Sequence, residues 1–129
     1  MEEKHVPTIL VVDDEIEILT LLQELLQRRG YSVTTAERGE VALTIAGHQS
    51  FDIILADLKM PGMDGFKFVE RLRRVQPAAK LVVMSGYGQQ VQPALEEIGV
   101  ENYIIKPIDF DTLLKKFDEL LDAGGIIHV

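Results

Sequence analysis

The stretch ILVVDD at residues 9–14 decides the fold, because an uninterrupted apolar run ends there in two carboxylates. Three later stretches follow the same design, namely IILAD at 53–57, LVVMS at 81–85 and YIIK at 103–106. Short runs that are rich in Val and Ile and do not alternate are typical of parallel strands covered on both faces. As strands of one parallel sheet, the four runs would bring their terminal polar groups together at one edge.

Segments with helical spacing separate these runs. The apolar face of the first consists of Ile18, Leu19, Leu21, Leu22, Leu25 and Leu26. Gly30 is expected to end that helix as a C-cap. Four further helices are predicted at about residues 39–48, 65–75, 91–98 and 110–122, and Pro93 predicts that the fourth is short or starts late. A more polar, β-branched segment at residues 31–35 is expected to be a strand nearer an edge. This alternation predicts an α/β fold with a doubly wound parallel sheet.

The composition excludes several classes of protein. A length of 129 residues predicts a single domain, and no repeat or linker in the sequence indicates an internal boundary. The net charge of −8 argues against direct nucleic-acid binding through this domain, which needs a basic face. Cysteine is absent, so disulfides and thiolate catalysis are excluded. Neither a signal peptide nor a stretch near the ~18 residues of a membrane span is present, so we expect a cytoplasmic protein without membrane contact.

The acidic residues at the strand ends each have a structural alternative. Asp14 followed by Glu17 matches a helix N-cap with its capping-box partner, but one cap leaves Asp13 unexplained. Asp57 could be a turn residue, because two glycine-containing turns follow it. Taken together, the three aspartates favour a functional role over a structural one, since two carboxylates ~4 Å apart repel by roughly 4 kcal/mol at an effective dielectric of 20. Three at one edge therefore indicate a cation, and magnesium suits a site of few carboxylates that meets a phosphate.

The other two runs end in Ser85 and Lys106, whose functions are also open when each is taken alone. Ser85 before Gly86 could form a plain turn, or its hydroxyl could bond a phosphoryl oxygen for which the glycine leaves room. Lys106 could be an exposed lysine, whereas a cis bond to Pro107 would turn the chain and aim the ammonium back at the edge. Three carboxylates, a hydroxyl and an ammonium together indicate a metal-assisted phosphoryl site.

Four stretches, in chain order, resemble the receiver domain of two-component response regulators. They are ILVVDDE at residues 9–15, DLKMPGMDG at 57–65, VVMSGYG at 82–88 and YIIKP at 103–107. The resemblance covers about residues 8–122 and implies the flavodoxin-like fold of chemotaxis regulators, with five parallel strands in the order 2-1-3-4-5 and five helices. It also implies a signalling phosphoprotein that catalyses only its own phosphorylation and dephosphorylation.

The resemblance assigns roles to the edge residues. Asp57 would be the phosphoacceptor and the nucleophile on phosphorus, which agrees with the ionised state of an aspartate carboxylate at pH 7. Magnesium, or manganese, would be held by Asp14, Asp57 and the backbone carbonyl of Lys59. Asp13 would join through water. The metal and Lys106 would neutralise charge on the equatorial oxygens during in-line transfer.

The resemblance also implies a switch and partners. After phosphorylation Ser85 would bond the phosphoryl group, and the ring of Tyr103 would exchange an outward for an inward position. Tyr103 equally fits a half-buried strand aromatic with a wet hydroxyl. The three histidines of the chain are scattered, so the phosphoryl group is expected from a sensor histidine kinase or a histidine phosphotransfer protein. The signal would pass to a downstream effector or an output domain.

Three other functions fit parts of the pattern. A magnesium-dependent phosphatase or phosphotransferase for small molecules would need a substrate pocket, a cap insertion and a second acid where this chain has Lys59. An interaction module that never takes phosphate is disfavoured, because all five site residues are present. A flavin-binding protein would fit the fold, but no phosphate loop rich in Ser, Thr and Gly follows the first run.

Overall fold

A computed structural model describes residues 5–58, 64–86, 91–100 and 102–123 of the chain. Its strands are β1 (Thr8–Val12), β2 (Ser32–Ala36), β3 (Ile53–Asp57), β4 (Lys80–Ser85) and β5 (Asn102–Ile105). They form one sheet in the order β2-β1-β3-β4-β5, and each neighbouring pair is parallel. The expected doubly wound, flavodoxin-like sheet is therefore confirmed, and β2 lies at an edge as its polar composition predicts.

The described residues form five helices, of which four connect successive strands and the fifth follows β5. They are α1 (Ile16–Arg28), α2 (Gly39–Ala46), α3 (Gly65–Val75), α4 (Gln92–Glu97) and α5 (Phe110–Ala123). Helix α2 ends at Ala46 rather than at residue 48, because Gly47 is already its C-cap. Helix α4 is short and carries its proline in the first turn, as predicted. The C-cap of α1 is Arg29 rather than Gly30, and Gly30 follows it with a φ of 92°, the left-handed conformation that ends a helix one position after the cap.

The capping box that the sequence leaves open as an alternative role for Asp14 does not form at the start of α1. The N-cap residue is Glu15, one position after Asp14, and its side chain makes no capping hydrogen bond. Instead, the Glu15 backbone N–H donates to Asp13 Oδ1 at 2.9 Å. Asp13 therefore satisfies the backbone ahead of the helix, and Asp14 is not the cap.

The core has one apolar layer on each face of the sheet, because successive strand residues point to opposite sides. Leu10 and Val12 of β1 pack in the layer under α2, α3 and α4, where Phe68 is wholly buried. Ile9 and Val11 pack in the opposite layer, under α1 and α5, where Phe117 is wholly buried. Burying a side chain of this size contributes about 1.5–3 kcal/mol, so the two layers hold the strands in register.

The segment before β1 contacts the amino edge of the sheet. His5 Nε2 lies 2.7 Å from Asp52 Oδ2, and the Ser32 N–H donates to the Pro7 carbonyl at 2.9 Å. The tail from residue 124 onward lies outside the described residues. Within the described residues, no helix is both long enough and apolar enough to cross a bilayer.

A buried amide ties two loops together at the amino edge of the sheet. Gln76, which is 8% exposed, accepts a hydrogen bond from the Phe51 N–H at 3.1 Å. Its amide N–H2 donates to the carbonyls of Ala46 and Gln49. The C-cap residue of α3 thereby satisfies the backbone of the segment between α2 and β3.

We predict that Gln76→Leu lowers the free energy of unfolding by about 2–3 kcal/mol, because it leaves buried backbone groups without partners. Urea unfolding followed by circular dichroism measures the change. The matched control is Gln27→Leu on the exposed surface of α1, for which a change within about 0.5 kcal/mol is expected. Equal effects of the two substitutions would contradict this account of Gln76.

Gly65 allows α3 to begin directly against the end of β3. A Cβ at this position would lie 1.6 Å from the Leu58 carbonyl oxygen, which is far closer than two atoms that are not bonded to each other can approach. Asp64 precedes it as the N-cap, and its side chain accepts from the backbone N–H groups of Phe66 and Lys67. Since Leu58 follows Asp57, this close approach fixes the backbone beside the predicted phosphoacceptor.

Gly65→Ala is therefore expected to destabilise the protein by about 1–3 kcal/mol, because α3 must move away from β3. Gly86→Ala is the matched control, since a Cβ at that glycine would meet no atom within 4 Å. Its stability should match or slightly exceed that of the wild type. Thermal and urea unfolding of both variants test the difference, and a tolerated Gly65→Ala would show that the contact is not limiting.

Candidate functional site

Backbone hydrogen bonds carry the sheet past the ends of its strands and align the polar groups. Asp57 and Ser85 are the last residues of β3 and β4. Beyond them, the Leu58 N–H donates to the Met84 carbonyl at 2.9 Å, and the Lys106 N–H donates to the Ser85 carbonyl at 2.8 Å. The carboxyl edge thus presents Asp57, Ser85 and Lys106 at the ends of three neighbouring strands, β3, β4 and β5, as the sequence predicts.

The Lys106 ammonium bridges two carboxylates at this edge. Its Nζ lies 2.9 Å from Asp57 Oδ2 and 3.1 Å from Asp13 Oδ2. Both carboxylate side chains are almost completely buried, whereas the lysine side chain is 20% exposed. The Lys106–Pro107 peptide bond is cis, one of the two alternatives that the sequence left open. Charge-assisted hydrogen bonds of this kind hold the ammonium over the acidic residues.

Three carboxylates converge beside the ammonium. Asp13, Asp14 and Asp57 each offer an oxygen, and these oxygens all lie within 4.8 Å of one another. One ammonium against three carboxylates leaves an excess of negative charge, and Asp14 keeps the group open to solvent. Hard oxygen donors with access to water fit a divalent cation such as magnesium. Lys59, whose carbonyl the resemblance adds to this set, lies outside the described residues.

The surroundings shift the pKa values of two of these groups. Burial raises the pKa of Asp13 above its usual 3.8 and the charge of Asp57 adds to this, although hydrogen bonds from the Glu15 backbone and from Lys106 act in the opposite direction. Burial alone would lower the pKa of Lys106, but its bonds to Asp57 and Asp13 and their charges raise it above 10.5. The ammonium is therefore firmly protonated, while the buried charge of Asp13 is costly.

Glu15 also approaches the site, although its sequence pattern does not indicate a role there. Its Oε1 lies 3.9 Å from Lys106 Nζ, and its side chain is 61% exposed. An exposed ion pair of this length contributes little to stability. The sequence signals for this proximity are its position directly after the aspartate pair and its place at the end of the stretch ILVVDDE.

The two residues expected to form the switch lie next to this cluster rather than in it. Ser85 is fully buried at the end of β4. Tyr103 is half-buried, pairs with Val83 in the β4–β5 ladder, and donates from its hydroxyl to Gln92 Oε1 at 3.1 Å. The structure thus brings the three aspartates and Lys106 together, with Ser85 beside them and Tyr103 on the side of the sheet that faces α4.

Known proteins share this arrangement of sequence and fold. Residues 9–118 match the response regulator receiver domain family. Transcriptional regulatory protein ZraR of Escherichia coli (strain K12) is 39% identical over 115 residues, which are 88% of this chain and 26% of that protein. Sporulation initiation phosphotransferase F of Bacillus subtilis (strain 168) is 34% identical over 107 residues, which are 81% of this chain and 86% of that protein.

A solved structure gives the same result at the level of the fold. Response regulator protein TrrA from Thermotoga maritima, in complex with Mg²⁺-BeF, has a TM-score of 0.79 and 36% identity, covering 89% of this chain and 99% of that one. The chain spans about a quarter of the length of ZraR, so that likeness concerns one part of ZraR. The family match extends over most of the chain and includes every strand that carries the acidic cluster and Lys106. The chain belongs to the response regulator receiver domain family of two-component signalling.

Proposed function

We propose that Asp57 accepts a phosphoryl group and that the domain changes conformation in response. The observation that supports this most strongly is the 2.9 Å hydrogen bond from Lys106 Nζ to Asp57 Oδ2 inside a three-carboxylate cluster. A nucleophile, a cation and a metal-type donor set lie within a few ångströms of one another. These are the parts that phosphoryl transfer needs for positioning and for charge stabilisation.

In the proposed step, a carboxylate oxygen of Asp57 attacks phosphorus in line with the leaving group. A P–O bond forms to Asp57 while the P–N bond of a phosphohistidine donor breaks, and the imidazole nitrogen keeps the bonding electron pair. No general base is needed, since an aspartate carboxylate attacks in its ionised form. The product is an aspartyl phosphate. Attack of water on its phosphorus would break the P–O bond to Asp57, release inorganic phosphate and return the carboxylate.

Lys106 and the acidic cluster divide the handling of charge. The ammonium has three N–H donors, and its bonds to Asp57 and Asp13 use two of them. It is therefore placed to donate to an incoming phosphoryl oxygen. A magnesium ion, or manganese in its place, would supply further positive charge at Asp13, Asp14 and Asp57 when bound. The backbone carbonyl of Lys59 completes the proposed metal donors.

The proposed response passes through Ser85 and Tyr103. Ser85 ends β4 beside the strand that carries Asp57, so its hydroxyl can bond the new phosphoryl group. Tyr103 lies on the neighbouring strand, and its ring would move inward as the segment after Ser85 is drawn toward the site. A downstream effector or an output domain would detect the change on this side of the molecule.

The proposed donor is a sensor histidine kinase or a histidine phosphotransfer protein. An apolar groove of about 190 Å³ beside the site supports a protein donor over a small molecule. Ile18 and Leu21 of α1 form one wall, and Pro107 and Ile108 form the other, next to Lys106. A partner seated there would bring its phosphohistidine to the edge of the sheet where Asp57 lies.

The alternative of a small-molecule phosphatase is less well supported. The segment between β3 and α3 spans only residues 58–64, which is too short for a cap over the site. The position two residues after the nucleophile holds a lysine rather than an acid.

We assign the receiver domain to residues 8–122, with the extension at 1–7 and the tail at 123–129.

Incubation with acetyl phosphate and Mg²⁺ is expected to add one phosphoryl group, detected by intact mass, and Asp57→Asn should abolish this gain. Asp122→Asn, an exposed aspartate of α5, is the matched control and should be phosphorylated like the wild type. Hydroxylamine should remove the group, because an aspartyl phosphate is an acyl phosphate, and a chelator should prevent its formation. An undiminished mass gain in Asp57→Asn would overturn the proposal.

A second prediction concerns the cost of the buried charge. Asp13→Asn should raise the free energy of unfolding of metal-free protein at pH 7 by about 1–2 kcal/mol, because it removes a buried carboxylate that repels Asp57. The pKa of Asp13 is raised in the folded state, so its ionisation opposes folding above that pKa. The gain should shrink as the pH falls through this raised pKa toward 3.8.

Urea unfolding between pH 7 and about pH 4, with and without MgCl₂, measures both parts of this prediction. Magnesium should stabilise the wild type more than Asp13→Asn, which has lost a metal donor. Asp122→Asn makes the same change in net charge far from the cluster and should show neither the gain nor the altered metal response. A variant less stable than the wild type at pH 7 without metal would contradict the cost assigned to Asp13.

A further inference from the structure

The hydroxyl of Tyr103 is bonded to Gln92, a residue that belongs to none of the four sequence stretches that form the site. The Tyr103 hydroxyl donates to Gln92 Oε1 at 3.1 Å, and Gln92 is the first residue of α4. Gln92 Nε2 in turn donates to Glu96 Oε1 at 3.0 Å, one turn along the same helix. Tyr103, Gln92 and Glu96 form a hydrogen-bonded relay from β5 to α4.

The chemistry of Glu96 decides which way the Gln92 amide faces. A carboxylate can only accept hydrogen bonds, so it takes the amide N–H2 group. The amide oxygen of Gln92 is then turned toward Tyr103, where the phenol O–H needs an acceptor. Each bond of the relay orients the next, which makes Gln92 a directed acceptor.

The ring of Tyr103 is held by packing as well as by its hydroxyl. It packs against the apolar layer that contains Val83 of β4 and Leu95 of α4. Val83 is its partner in the ladder and lies two residues before Ser85. Moving the ring toward Ser85 therefore breaks the bond to Gln92, whereas keeping it in place preserves that bond.

We propose that Gln92 is a positioning residue that holds Tyr103 in its resting position and so sets the balance between the resting and the phosphorylated conformation. This inference rests on the proposed function of Asp57 and of the Ser85–Tyr103 switch. The net contribution of one such side-chain hydrogen bond corresponds to a shift of this balance by roughly threefold to tenfold. A ligand that binds the phosphorylated conformation should gain affinity by the same factor when the bond is lost.

The test uses the full chain labelled with 3-fluorotyrosine and observed by ¹⁹F NMR. The chain has three tyrosines, and Tyr103→Phe identifies the signal of interest. Beryllofluoride with Mg²⁺ serves as the phosphoryl analogue and defines the position of the signal in the activated wild type. Without the analogue, Gln92→Leu should move the Tyr103 signal toward that position. Its dissociation constant for beryllofluoride should fall roughly threefold to tenfold.

Two further variants separate the hydrogen bond from the integrity of α4. Glu97→Leu places an apolar side chain at another exposed position of the same helix and should leave both readouts unchanged. Gln92→Glu combined with Glu96→Gln keeps an acceptor for the phenol and a donor one turn along the helix, and should restore most of the resting signal. A Gln92→Leu protein that behaves like Glu97→Leu would overturn the role of Gln92 alone. A wild-type signal that does not respond to beryllofluoride, or a protein that fails the acetyl phosphate test, would instead overturn the proposed function.

Discussion

The contact of the Lys106 ammonium with Asp13 and Asp57 is the interaction on which the rest of the structure depends. Two carboxylates with almost no exposure repel each other and lose hydration, so they remain at the sheet edge only with a cation between them. The bridge also links β1, β3 and β5, three strands far apart in sequence. Its geometry favours chemistry over stability, because the burial that raises the pKa of Asp13 is a cost of folding.

The precision of this bridge comes from the backbone rather than from the loops. The backbone hydrogen bonds of the sheet continue beyond the strand ends through Leu58 and Lys106. The register of the apolar strands therefore also fixes the positions of the polar side chains that follow them. Gly65 then brings α3 against the Leu58 carbonyl, which leaves that backbone little room to move. Two apolar layers hold the strands, the strands hold the ladder, and the ladder places Asp57 next to Lys106.

The sequence predicts this edge well because its signals are local and repeated. Each apolar run predicts a buried parallel strand, and the residue after each run must then lie at the carboxyl edge of the sheet. The cap offered as an alternative role for Asp14 does not form, although the Asp14–Glu17 spacing matches a capping box, because α1 has Glu15 as its N-cap. Only the fold shows that Asp13 already satisfies the Glu15 N–H.

Contacts between distant side chains without a periodic pattern were not predictable. Gln76 binds backbone groups of the segment between α2 and β3, and nothing in its own neighbourhood in the sequence indicates this. The same holds for Gln92 and Tyr103, which meet only because α4 packs beside β5. Such contacts depend on where helices lie over the sheet, and that placement follows from the complete core.

Strand β5 joins these two kinds of contact. Tyr103 lies within it and Lys106 follows it, so one short strand carries both the cation of the acidic edge and the ring bonded to α4. A change in the charge around Lys106 and a change in the position of Tyr103 therefore act on the same piece of backbone. Gln92 restrains that strand from outside the acidic cluster. Its effect on the conformational balance can vary without any change in the residues to which we assign the proposed phosphoryl chemistry.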